Sequence, residues 1–166
     1  KDLRLRHRAG YRSKTTDTRV RESLRSALLY SQQANADDIR VSWGRAERHE
    51  KGANYVLPIR LGIPLRDKVL LPTGNGKHEL RLKLFVAAVD ADGGTSDIDT
   101  APLGLSLAAE HVEAAKKESL VYTHKLLLSP GRTRVGVAIL DLFGRESSVV
   151  TRSVQVGPKI EAAAGR

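Results

Sequence analysis

Asn75-Gly76-Lys77-His78-Glu79-Leu80-Arg81-Leu82-Lys83-Leu84-Phe85-Val86-Ala87-Ala88-Val89-Asp90 is the stretch whose reading decides the fold. Asn75-Gly76 is a tight-turn dipeptide, and behind it Leu80, Leu82, Leu84, Val86 and Ala88 recur every second residue, the period of a strand with one buried face. Asp90 to Gly94 closes the strand with a second turn. Working outward, the same period appears in Ile39, Val41 and Trp43, and again in Tyr55, Leu57, Ile59, Leu61, Ile63 and Leu65. Within the latter run Pro58 and Pro64 each remove a ladder donor, which predicts an edge or bulged strand and not a central one. Residues 45–52 read as a strand end and hairpin loop, and residues 120–128, 134–142 and 148–156 as further extended segments, separated by Pro130-Gly131 and Phe143-Gly144.

Helical spacing is confined to two places. Val20, Leu24, Ala27, Leu28 and Ser31 follow a cap at Asp17 or Thr18 and predict an amphipathic helix ending near Asn35. Residues 108–117, rich in Ala, Glu and Lys, predict a short inserted helix. Strands with turn signals at short intervals and no regular β-α alternation predict a mainly β chain. The expected fold is an immunoglobulin-like β-sandwich of about 7–9 strands. Its parts would be a basic arm at 1–16, a helix at 17–36, the sandwich at 37–157 and a tail at 158–166.

The chain has 166 residues and 40% apolar content, enough for a single buried core. It has no Cys, which excludes disulfides, thiol catalysis and thiolate metal sites. Only seven aromatic residues are present (four Tyr, two Phe, one Trp), too few for a surface that works mainly by stacking rings on sugars or bases. No run approaches a membrane span. A first residue other than Met, in a chain that has none, reads as a processed or excised fragment. The net charge of +9 is uneven. Residues 1–25 carry nine basic and three acidic side chains, hence +6, and the other 141 residues carry +3. A basic arm on a nearly neutral body follows, with Arg4, Arg6, Arg8 and Arg12 as the candidate anion-binding residues. That distribution disfavours nucleic acid as the partner of the body itself.

Each catalytic near-motif lacks the residue that would do the chemistry. His49-Glu50 and His78-Glu79 begin H-E-x-x-H, but Ala53 and Leu82 stand where the second histidines belong. Both histidines read as solvated positions on strand ends. Gly104-Leu105-Ser106-Leu107-Ala108 approaches the nucleophile elbow with Ala108 in place of its second glycine, so Ser106 reads as an outward strand residue. Gly74-Asn75-Gly76-Lys77 lacks the first glycine and the Ser or Thr of a phosphate loop, and is a hairpin turn. His111-Val112-Glu113 has no Cys to complete a deaminase zinc site. Asp90, Asp92, Asp97 and Asp99 are a candidate calcium loop, weighed against a hairpin turn in which Asp side chains accept backbone hydrogen bonds. Asp90, Asp92, His111 and Glu113 are the first residues to mutate if a dispersed catalytic site exists. Trp43 and Tyr55 lie on the periodic faces and are expected in the core. No catalytic residue and no cofactor is assigned.

Two stretches carry a family resemblance. Leu3-Arg4-Leu5-Arg6-His7-Arg8-Ala9-Gly10-Tyr11-Arg12 resembles the basic V-R-A-R-x-G-Y segment that follows the adhesion-type domain in bacterial von Willebrand factor A-related proteins, abundant among acidobacteria. Val86 to Gly93, Leu107 to Tyr122, and Ser129-Pro130-Gly131 through Asp141 look like the carboxy-terminal region of the same proteins. Thr133 departs from the family by standing where an aromatic residue is frequent, and the D-x-S-x-S metal-adhesion motif is absent from this chain. The resemblance implies an exported protein (periplasmic, cell-surface or secreted) in which this chain is a non-enzymatic sandwich module. Its expected partner is a protein, either the upstream domain of the same chain or an extracellular one. Electrostatic binding of nucleic acid or an anionic surface through the arm is the alternative.

Overall fold

The computed structural model describes residues 14–50 and 52–157. Its first element, α1 (Thr16–Tyr30), starts where Thr15 Oγ1 accepts a hydrogen bond from the Thr18 amide at 3.2 Å. The cap is thus Thr15, not Asp17 or Thr18. Asp17 instead occupies the first turn and pairs with Lys83. The helix also ends earlier than the sequence predicts, at Tyr30 and not near Asn35. Ser31 turns left-handed (φ 57°), Arg134 Nη1 takes the Leu28 carbonyl at 2.6 Å, and Ala34 is drawn into a β-bridge with Val149. Tertiary hydrogen bonds outcompete one further turn of helix.

The strands form two antiparallel sheets, one of them curled into a half-barrel. In the open-faced sheet, β3 (Tyr55–Pro64) pairs along its whole length with β7 (Ser119–Leu128). On its other side it pairs with β1 (Arg40–Trp43) and the short β2 (Glu47–Arg48). In the helix-covered sheet, β5 (Lys77–Asp90) is central, with β6 (Asp99–Ala108) on one edge. Its other edge carries β4 (Leu71–Thr73) near its start and β8 (Gly131–Asp141) beyond, and β9 (Ser147–Val156) completes the sheet outside β8. A 3₁₀ turn (Ala109–His111) and the one-turn α2 (Val112–Ala115) carry the chain from one sheet to the other, where the sequence predicts a short helix.

The central place of β3 overturns the edge position expected from its prolines. The Pro58 carbonyl accepts a hydrogen bond from Gly44 at 2.8 Å, so Pro58 faces the edge shared by β1 and β2. There the neighbouring chain is interrupted between Trp43 and Glu47. Pro64, six residues on, faces the same edge beyond the last pair with β1, Gly62 with Arg40. The missing N–H of Pro64 therefore lies past the last pair with β1, and that of Pro58 faces Gly44 just past the other end of β1, so both fall outside the β1 ladder, where a sheet tolerates proline.

Leu57, Ile59, Leu61 and Ile63 of β3 meet Leu80, Leu82, Leu84 and Val86 of β5 and Val135, Val137 and Ile139 of β8 between the sheets. A second core lies outside the helix-covered sheet. Val20, Leu24, Ala27 and Leu28 of α1 pack on Phe85, Ala87, Val89, Ala138, Leu140 and Val149. Gly136 lets the helix settle there, since a Cβ at this position would lie 2.8 Å from Leu24 Cδ1. The helix thus forms a third layer on the outer face of that sheet.

Candidate functional site

Arg4, Arg6, Arg8 and Arg12 lie outside the described residues. Of the other candidates, the four aspartates are not brought together. Asp90 Oδ1 accepts hydrogen bonds from the Asp92 amide (3.0 Å) and the Gly94 amide (2.7 Å), and so serves as the turn acceptor weighed against calcium. Asp99 stands in register with Val86, four residues back along β5, and its carboxylate lies 3.1 Å from His124 Nε2 of β7. Among the described residues no three His, Asp or Glu side chains converge as metal ligands. The set Asp90, Asp92, His111 and Glu113 is separated by the length of β5. His111 follows Ala108, which pairs with Lys77 at the opposite end from Asp90, roughly 40 Å away at strand rise. Glu113 is spent on Lys116 at 3.0 Å.

Ser106 is exposed on β6, opposite Glu79. Gly74 to Gly76 form the hairpin turn between β4 and β5, with Gly76 at φ +69°. His78 is not the solvated residue expected: it is half-buried, and its Nδ1 is shielded without a hydrogen-bond partner. Trp43 and Tyr55 are half-buried and packed against the inter-sheet core. Thr133 is buried near the start of β8.

The polar site that motif reading misses lies where the α1–β1 connection, the β3–β4 loop and the β8–β9 hairpin meet. Four of the six buried polar or charged side chains among the described residues gather there: Asp37, Lys68, Asp141 and Ser148. Asp141 Oδ1 accepts from the Phe143 and Gly144 amides at 2.9 and 3.0 Å, while Oδ2 accepts from Val69 at 3.2 Å. One carboxylate thereby fastens two loops. Ser148 Oγ accepts from the Asp37 amide at 3.0 Å. Beside them, Lys68 Nζ lies 2.6 Å from Asp37 Oδ2, with side chains only 2% and 9% exposed. No periodicity marks these residues: Asp37 and Lys68 lie in connections between elements, and Asp141 ends an extended segment beside the Phe143-Gly144 turn.

No family model matches the chain, and no curated protein matches it either. Among solved structures, a Bacteroides uniformis β-glucuronidase 2, covalently bound to cyclophellitol-6-carboxylate aziridine, aligns at 10% identity and a TM-score of 0.44. The alignment covers 71% of this chain and 13% of that one. A second structure of Bacteroides uniformis β-glucuronidase aligns at 11% identity and a TM-score of 0.42 over the same shares. A target of the Northeast Structural Genomics Consortium aligns at 10% identity and a TM-score of 0.41, covering 78% of this chain and 90% of its own. The chain therefore spans about one eighth of the glucuronidases it is similar to.

Proposed function

We propose that this chain is a non-enzymatic, immunoglobulin-like binding or structural module of an exported bacterial von Willebrand factor A-related protein, with a protein as its partner. The immunoglobulin-like reading is supported by connectivity. Leaving aside short β2 and β4, the first, second and fifth strands share one sheet, and the fourth, third, sixth and seventh share the other. Immunoglobulin sandwiches divide their strands this way, apart from the fourth, which here has joined the second sheet. The binding role rests on one observation. The outer edge of β7 has no strand beside it among the described residues, and the outer face of β7 exposes Val121 and Leu127 at 52% and 55%. A free strand edge with apolar side chains is a surface that another chain can extend or cover.

The test compares binding by the intact chain, a Val121→Lys/Leu127→Lys variant, and a chain lacking residues 1–13. A protein partner recovered from the exported fraction should stay bound at high salt, be lost on the double substitution, and survive removal of the arm. The alternative, electrostatic binding through the arm, is favoured by the +6 carried in residues 1–25. It predicts a steeply salt-dependent affinity for duplex DNA or anionic vesicles that disappears with the arm. That result, with no protein partner retained, would overturn the leading reading.

A further inference from the structure

Lys68 and Asp37 stand apart from every other ion pair described in the molecule. The other pairs each have at least one side chain more than a third exposed, whereas Lys68 and Asp37 are both enclosed. Their geometry is also unusual. Nζ lies 2.6 Å from Asp37 Oδ2, yet Oδ2 has no hydrogen-bond partner, so the approach is close without lying along a hydrogen-bond direction. The amine is pressed against the carboxyl group without being aligned to donate to its oxygen.

The surroundings hold both groups in place. Asp37 is tied by its amide to Ser148 Oγ, and Lys68 by its amide to the Leu65 carbonyl at 3.2 Å. The next amide, that of Val69, is tied to Asp141. Ile39 and Leu65, which flank the pair in the chain, belong to the inter-sheet core. Burial penalises separated charges and so keeps the Lys68 and Asp37 head groups in contact. Fixing reactants at contact distance replaces the encounter step with an intramolecular one.

We propose that Lys68 and Asp37 form an intramolecular isopeptide bond. Nζ adds to Cγ of the Asp37 carboxyl group, the Nζ–Cγ bond forms, and one Cγ–O bond breaks. The departing oxygen leaves as water with two protons drawn from the Lys68–Asp37 pair, so no oxidant or other co-reactant is needed. The bond would join the helix-to-β1 connection to the β3–β4 loop in a chain that has no cysteine for a disulfide.

Intact-mass spectrometry of the purified chain tests this directly. The expected mass is one water below that of the sequence. Lys68→Arg, which keeps the charge but cannot form this amide, and Asp37→Ala should each show their full mass. In a tryptic digest, residues 26–40 should appear joined to residues 67–77, uncut after Lys68, with fragmentation placing the link on Asp37 and not on exposed Asp38. A full-mass native chain with both peptides linear overturns the proposal. So does a lost water that maps elsewhere, for example to a succinimide at Asp92-Gly93.

Discussion

The two sheets use their apolar residues differently. In β3 of the open-faced sheet, buried Leu57, Ile59, Leu61 and Ile63 alternate with residues that are half-buried or exposed. In the helix-covered sheet, every residue from Leu84 to Val89 in β5 and from Val135 to Asp141 in β8 is buried. The difference is the helix. A sheet covered on one face needs apolar side chains at every second position, whereas one covered on both faces needs them continuously. Small residues accompany the continuous run on its helix side, Ala87, Gly136 and Ala138, because a helix must approach closely. The lesson is that an unbroken apolar strand beside an alternating one marks a third layer.

That contrast can be broken by mutation, beginning with the largest effect. Phe85 faces α1, is wholly buried, and lies beneath both Arg21 and Lys83, whose cationic groups sit 5.6 and 5.4 Å from the ring centroid. Phe85→Ala should cost about 3–5 kcal/mol, as for a ring removed from any inner core. Chemical denaturation followed through the single Trp43 would measure it. A cost of only a few tenths would mean that the helix is a loose cover and that the two faces are not equivalent. Next in size, Gly136→Val should force Leu24 and Leu28 aside, costing about 1–3 kcal/mol by overpacking. Amide exchange in α1 should accelerate more than in β3, and uniform acceleration would remove the close-approach explanation. The smallest effect belongs to the solvent face of β7, where Val121→Ser and Leu127→Ser should change stability by no more than about 0.5 kcal/mol. A larger loss there would show that this face is covered within the chain itself.

Much of this contrast is legible in the sequence and some is not. Leu80, Leu82, Leu84, Val86 and Ala88 announce β5 by alternation, and Asn75-Gly76 announces its turn. Phe85, Ala87 and Val89 fill the intervening positions, and their meaning depends on where Val20, Leu24, Ala27 and Leu28 come to rest. The prolines of β3 show the reverse case. Each argues locally for an edge, but Pro58 faces the neighbour's interruption at Gly44 to Ala46 and Pro64 lies beyond the last pair with β1, so both sit in a central strand. For the candidate sites, the turn reading of Asp90 survives because the amides that donate to it are local, two and four residues away. The buried pair was invisible because Asp37 and Lys68 are 31 positions apart in separate loops, and neither sits in a pattern that signals burial.

By itself the sequence determined the class of structure: strands from two-residue periods, an N-terminal helix from its apolar stripe, turns from Asn-Gly and Pro-Gly, and a charge bias toward the first 25 residues. These are local properties, carried by backbone preference and by which face of one element is apolar. Only the tertiary structure decided that α1 forms a third layer, that β3 is central, and that Lys68 meets Asp37 in a closed pocket. Those outcomes depend on which elements face each other, and the cost of a missing donor or a buried charge is set by the neighbour that does or does not stand opposite.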